Sequence, residues 1–281
     1  MPYMKEICVA GRTKEVRKYY NFHTPPPGEH RGKREKPTPE RIKKANYRKA
    51  ETDLRRLINN NFTDEGYSIT LTYRKGEEPA DIDDLRKDAA GYLKKLTRAT
   101  KKKGKSLKHV YVLGAGQHRR HIHAVVQGMD MEDITTLWDK GHVSMTRLYS
   151  DGDYRELAAY LMMNAEETRT QEIIQGKKPR RRYNTSHNLV KPKVTREKIS
   201  AREFRKNPRI QKGYQLIKDT VVSGISDLTG MPYLSYTLIK DKNYVERKDL
   251  YSDRTERKHD RKRKSRIRAG DRESERPDIC N

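Results

Sequence analysis

Residues 67–74 read Tyr-Ser-Ile-Thr-Leu-Thr-Tyr-Arg, and that alternation leaves the backbone little choice. Successive side chains of a strand point to opposite faces. Tyr67, Ile69, Leu71 and Tyr73 therefore share one face, and Ser68, Thr70, Thr72 and Arg74 the other. A half-apolar strand needs a second layer to cover it. Positions 82, 85, 89, 92, 93 and 96 repeat at helical spacing within 81–101 and predict an amphipathic helix that could serve.

The neighbouring segments fall into the same pattern. Thr38-Pro39 reads as an N-cap followed by proline in the first turn, opening a helix to about residue 60 with Leu54, Leu57 and Ile58 on one stripe. SLKHVYVLG (106–114) reads as a strand. Gly114-Ala115-Gly116-Gln117 turns it into a second one within HRRHIHAVVQG (118–128). A helix over 131–139, with Trp138 in its core, a strand over 142–149 and a helix from Tyr154 to about Glu167 follow. The expected class is α+β: a largely antiparallel sheet with helices on one face, the other face left free for a site. Beyond it the sequence predicts a loop over 168–180, a strand near 213–218, a helix near 219–229 and a strand over 232–240. Residues 1–37 read as a basic N-terminal arm, 38–242 as the folded domain, and 243–281 as a charged tail too poor in aliphatics to build a core.

His121 and His123 carry the most specific chemistry. Two positions apart on a strand, they point the same way, about 6.6 Å apart along the backbone. Such a pair can grip one divalent metal. It can also be two half-exposed strand histidines. Ile122, Ala124 and Val126 turn to the opposite, core-facing side.

The formal charge is +25, from 64 Lys and Arg against 39 Asp and Glu. A surplus of one sign on that scale points to a polyanionic partner, most simply nucleic acid. Only Cys8 and Cys280 occur, which excludes a disulfide framework and a cysteine metal cluster and fits a reducing cytoplasm. No apolar run approaches membrane-spanning length and no signal-peptide core is present, so a membrane span and secretion are not expected.

Three blocks occur in a telling order. YSITLTY (67–73) is followed by HIHAVV (121–126) and then by DYRELAAYLMMNAEE (153–167). Together they resemble the three motifs of the rolling-circle replication-associated (Rep) proteins of the HUH endonuclease superfamily, as carried by phages, plasmids and integrative elements of Gram-positive bacteria. PTPERIKKAN…LRRLINNNF (37–62), RRRYNTSHNL (180–189) and GISDLTGMPYLSYT (224–237) extend the resemblance to roughly residues 1–240.

The resemblance implies a ferredoxin-like, RRM-like palm and a metal-dependent, site-specific DNA endonuclease and strand transferase. Tyr160 would be the nucleophile, attacking a phosphate of single-stranded origin DNA to give a 5′-phosphotyrosine and a free 3′-OH. His121 and His123 would bind Mg²⁺ or Mn²⁺. The partners implied are origin DNA and the host helicase and polymerase. Family members usually place a glutamate at the end of the strand before the histidines, where this chain has Leu113-Gly114-Ala115-Gly116; His118, or Gln117, could substitute. They also place a lysine three or four residues after the tyrosine, where this chain has Met163 and Asn164. Arg119, Arg120, Arg180, Arg181 and Arg182 are candidates for gripping the DNA backbone, and Tyr183 for stacking on a base. Tyr160 could instead be a core-edge residue between Leu157 and Leu161. Tyr154, six positions earlier, points about 120° away and is not expected to reach the same phosphate. A binding protein of the same fold without catalysis, and an RNA-binding module, are the alternative classes.

Overall fold

The computed structural model describes residues 3–21, 38–116, 119–149, 151–226 and 230–244. In chain order these form β1 (Tyr3–Ala10), β2 (Thr13–Tyr20), α1 (Pro39–Asn61), β3 (Tyr67–Thr72), α2 (Ile82–Lys102), β4 (Lys108–Gly114) and β5 (His121–Gln127). Then come α3 (Met131–Thr136), β6 (Val143–Arg147), α4 (Arg155–Ile174), β7 (Asn184–Thr185), β8 (Val194–Ile199), β9 (Tyr214–Ile225) and β10 (Pro232–Lys240).

β3 forms where the alternation places it, between β5 and β6, in a five-stranded antiparallel sheet ordered β6-β3-β5-β4-β7. Its apolar face carries Ile69 and Leu71, joined by Tyr111 and Leu113 of β4 and by Ile122, Ala124 and Val126 of β5. α2 covers that face with Ile82, Leu85, Ala89, Tyr92, Leu93 and Leu96, the positions its spacing predicts. Asp81 caps the helix by accepting from Asp83 N at 3.3 Å. Trp138 lies just beyond α3 rather than inside it. It packs edge-on against Tyr73 and Tyr92, and its indole N–H donates to Thr72 O at 2.9 Å.

The α+β, antiparallel class holds. The second face of this sheet, however, is not bare. Val110, Val112 and Val125 point there and pack with Leu54, Leu57 and Ile58 of α1 and with Ala158, Leu161, Met162 and Ala165 of α4. Helices thus flank the sheet on both sides, and the histidine face looks at α4. A strand whose two faces are both apolar between polar ends, as in Val110-Tyr111-Val112-Leu113, is what burial on both sides requires.

A second five-stranded sheet, ordered β8-β1-β2-β10-β9, corrects the expectation of an N-terminal arm. Residues 3–20 are a hairpin, paired from Tyr3↔Tyr20 to Ala10↔Thr13, with β8 on one flank and β10 on the other. Gly11, at φ +56°, makes the turn, and a Cβ there would fall 2.0 Å from Asn59 O, so the turn sits directly on α1. Residues 22–37 lie outside the described residues, as does the tail from 245 onward. α1 is tied to β2 by buried charge: Arg55 and Arg56 donate to Glu15 at 2.7 and 2.8 Å, and Asn59 donates to Thr13 Oγ1 at 3.0 Å.

Two further expectations fail. Residues 219–225 continue β9 instead of forming a helix, in keeping with the β-branched run Thr220-Val221-Val222. Residues 168–174 continue α4 instead of forming a loop. The chain divides into one compact unit of Met1–Arg209 with Leu216–Ile239, and another of Ile210–Gln215 with Lys240–Asn281. In the latter, Asp241 N donates to Gly213 O at 2.9 Å. Among the described residues no helix is long and apolar enough to cross a membrane.

Candidate active site

β5 places His121 and His123 on the face that looks at α4, opposite Thr72 and Thr70 of β3 and Gly114 and Val112 of β4. The two rings meet edge to face with centroids 4.5 Å apart. α4 answers with a single stripe, Tyr160, Asn164 and Thr168, spaced four apart and so stacked on one side of the helix. Tyr160 Oη lies 3.1 Å from His123 Nε2, and the two rings stand edge to face at 4.9 Å. Asn164 Oδ1 lies 3.3 Å from His121 Nε2, while its Nδ2 donates to Tyr160 O at 2.9 Å. Thr168 fastens the helix to the end of β4: its hydroxyl donates to Leu113 O at 2.6 Å and accepts from Ala115 N at 3.0 Å.

The two tyrosines of this segment have separate fates. Tyr154 is fully buried and its hydroxyl donates to Tyr149 O at 3.1 Å. Burial pushes its pKa up to about 12, with Asp151 and Asp64 adding to the rise. Tyr160 is 47% exposed, so its hydroxyl touches the histidine pair while its ring faces outward.

The histidines are oriented from behind. His121 Nδ1 lies 2.7 Å from Arg119 O, an oxygen that can only accept, so Nδ1 carries a hydrogen and Nε2 is the nitrogen turned toward Asn164. His123 Nδ1 lies 2.9 Å from Thr70 Oγ1. His123 is 3% exposed, and burial holds its pKa down at about 4, with His121 pushing the same way and a hydrogen bond to Asn164 opposing. At neutral pH it is an uncharged imidazole.

A divalent cation of the kind the histidine pair implies was tested against these contacts. With the His121 ring neutral, its Nε2 and Asn164 Oδ1 face each other, lone pair to oxygen, and something positive between them would relieve the apposition. Ligands about 2.1 Å from an octahedral ion and at right angles to one another lie about 3 Å apart, close to the 3.3 Å separating this nitrogen and oxygen. His121 and the Asn164 amide oxygen thus stand at ligand spacing, and His123 Nε2, 3.1 Å from Tyr160 Oη, would join them by exchanging that hydroxyl for the ion. Among the described residues no three His, Cys, Asp or Glu side chains converge. His118 and Gln117, the candidates from the hairpin, lie outside the described residues.

Gly114 explains why no carboxylate stands at the end of β4. A Cβ there would fall 2.2 Å from His121 Nε2, so the imidazole lies across the space that any side chain would need. Farther along the hairpin Gly116 has the same relation to Glu167, whose carboxylate would lie 2.2 Å from its Cβ. Tyr47, Gly116, Met163, Glu166, Glu167 and Thr170 line a groove of about 520 Å³.

The arginines named from sequence divide into engaged and open. Arg119 pairs with Glu78 and donates to Tyr73 O at 3.0 Å, and Arg120 donates to Pro79 O, so both hold the segment after β3. Arg180 pairs with Asp83 at 3.1 Å and Arg182 with Glu166 at 2.8 Å. Arg181 is exposed and has no ion-pair partner among the described residues. Tyr183 packs partly buried against the α1–α4 core, and burial raises its pKa, so its ring is committed to packing. Sequence reasoning missed Thr70, Thr168 and the positive role of Asn164. Their signal was the Thr-x-Thr face of β3 and the spacing of four from Tyr160.

Searches among curated proteins and solved structures gave no match. Residues 66–167, from the start of β3 through both histidines and Tyr160, match the model of the family described as Replication-associated protein ORF2/G2P, and over that stretch the chain is similar to a Rep-type replication protein.

Proposed function

We propose that this protein initiates DNA replication by nicking and rejoining single-stranded DNA through Tyr160. The observation that carries the reading is the half-exposed Tyr160 hydroxyl held 3.1 Å from His123 Nε2 within the segment similar to replication-associated proteins. Tyr160 Oη attacks phosphorus, the bond to the 3′ oxygen breaks, and the products are a 5′-phosphotyrosine and a 3′-OH. The tyrosyl proton leaves as the 3′ oxygen gains one. One phosphodiester replaces another, so the reverse step rejoins the strand without an energy source. His123 aims the hydroxyl, Asn164 fixes the carbonyl of the Tyr160 turn and the face of His121, and Thr70 and Arg119 O hold the rings. His121 and His123, with Asn164 Oδ1 beside them, would hold a Mg²⁺ or Mn²⁺ ion, His123 Nε2 then exchanging the Tyr160 hydroxyl for the ion, and the ion would polarise the phosphate oxygens.

The test is to incubate the protein with labelled single-stranded DNA and Mn²⁺ and to separate the products under denaturing conditions. A covalent protein–DNA band in the wild type that is absent in Tyr160→Phe is expected. A second reading, a DNA-binding replication protein without cleavage, is favoured by the glycine at 114. DNA binding with no adduct under any divalent ion would establish it.

A further inference from the structure

The sheet built from β1, β2, β8, β9 and β10 has one face toward α1, the face that carries Glu6 and Glu15. On its other face, Lys18 of β2 stands directly across from Lys5 of β1 and beside Leu234 of β10. Like charges at opposed positions of an antiparallel pair repel. Lys18 is also only 6% exposed, and its Nζ has no acceptor among the described residues. Its Nζ is not itself shut away from solvent: the enclosed stem carries the ammonium out to the surface, where it stands open to an anion.

The segment after β8 adds to the imbalance. Phe204 packs on Tyr3 with ring centroids 4.6 Å apart, and Arg209 N donates to Tyr236 Oη at 3.4 Å, so residues 204–209 fold back over this face. They bring Arg205 and Arg209 close enough for their charges to act on Lys18. Neither arginine has an ion-pair partner among the described residues. Of the nearby carboxylates, Glu197 pairs with Lys5 at 2.5 Å, and Glu203 is turned onto Ser200 N at 2.7 Å. We propose that Lys18, Arg205 and Arg209, with Lys5 at the edge, form an anion site that holds a backbone phosphate of single-stranded nucleic acid, separate from the Tyr160 centre. The enclosed stem of Lys18 fixes its ammonium in advance, and the two exposed arginines supply the planar forks that suit phosphate oxygens. Burial lowers the Lys18 pKa, with Lys5, Arg205 and Arg209 pushing the same way, and a bound anion would oppose that shift.

The ligand assignment rests on the nucleic-acid reading above, and the experiment separates the two. Affinity of the full-length protein for an oligothymidylate is measured over a range of salt for the wild type, Lys18→Met and the double variant Arg205→Gln/Arg209→Gln. Each phosphate contact on a single strand contributes about 0.7 to the log–log salt slope. Lys18→Met should reduce the slope by about that amount and weaken binding, while Lys18→Arg should restore both. If Lys18→Met does not fold, the double variant carries the test, since both its side chains are exposed. Retained binding with an unchanged slope in the variant that folds overturns the site. A wild type with no affinity for the oligonucleotide overturns the nucleic-acid reading itself. Stabilisation by inorganic phosphate that Lys18→Met abolishes, with DNA binding untouched, would make this a site for a free oxyanion and would overturn the backbone assignment.

Discussion

Tyr160 and Tyr154 lie on the same helical segment, and their surroundings assign them different work. Tyr160→Phe removes one hydroxyl from a half-exposed ring, and the lost hydrogen bond to His123 should cost at most about 1 kcal/mol. The covalent adduct should vanish while the melting temperature and DNA affinity stay near wild type. Tyr154→Phe should do the reverse, keeping the adduct and losing stability, because it strands the Tyr149 carbonyl next to a buried ring. An adduct that persists in Tyr160→Phe and disappears in Tyr154→Phe would move the nucleophile by six residues. Gly114 gives a second test at this scale. Gly114→Ala should swing the His121 ring off its seat and abolish cleavage and Mn²⁺ affinity together, with circular dichroism unchanged. His109 gives a third. Its buried Nδ1 has no partner, and burial, aided by His187, holds its pKa down at about 4. Above pH 6.5 the ring is neutral folded or unfolded and contributes nothing to the pH dependence. As pH falls from about 6.5 to about 4, the unfolded chain takes the proton first, so stability falls by up to about 1.4 kcal/mol per unit. Denaturant melts of His109→Gln at pH 7 and pH 5 should show that slope reduced. An unchanged slope would mean that His109 is solvated.

At the scale of elements, α4 is the part that turns a strand motif into a site. Thr168 hangs it on β4 through two hydrogen bonds, so Thr168→Val, nearly the same in shape, should cost about 1–3 kcal/mol by leaving Leu113 O and Ala115 N without their partner. Cleavage should fall with it, since the same helix aims Tyr160; a thermal melt and an adduct assay on one preparation would show both. The legibility of each element follows from how much of it is amphipathic. α2 and β3 were readable to within a turn or less of their ends, because each has one apolar and one polar face. α4 was readable only to about Glu167. Its last turns, Thr168–Ile174, mix polar and apolar residues and are helical because Glu172 binds Arg86 at 2.6 Å and the Arg180 backbone at 3.0 Å, contacts that a linear pattern does not display. β8 reads Val-Thr-Arg-Glu-Lys-Ile, half of it charged, and is a strand because β1 offers it a pairing edge. The histidine pair and Tyr160 were legible as motifs. Asn164 was legible only as a missing lysine, since its contact with His121 exists only once α4 is packed on β5.

At the scale of the whole molecule, the decisive disagreement concerns the N-terminus. A basic, turn-rich composition suggests a loose arm, yet Val16, Tyr3, Cys8 and Ala10 are buried and the hairpin occupies interior positions of its sheet. Composition misleads here because the hairpin's two carboxylates tie it to the rest of the fold: Glu15 takes Arg55 and Arg56, and Glu6 takes Arg196 and Arg56. Two predictions separate an arm from a structural layer. Glu15→Gln leaves Arg55 and Arg56 in low-dielectric surroundings without their main partner, which should cost about 3–5 kcal/mol. Deleting residues 1–21 should be worse. It leaves β8 and β10 without the strands between them, strips both arginines of Glu15, and exposes the apolar side of β10 carried by Leu234, Tyr236 and Leu238. The truncated chain should therefore lose cooperative unfolding and bind a hydrophobic dye, and it should lose cleavage along with the fold even though every residue of the Tyr160 centre is retained. A dispensable DNA-contacting arm makes the opposite forecast: an intact melting transition, preserved cleavage at low salt, and a shallower salt dependence of binding. A truncated protein that melts like the wild type would return residues 3–20 to the status of an arm and would remove the sheet on which the Lys18 phosphate site is built.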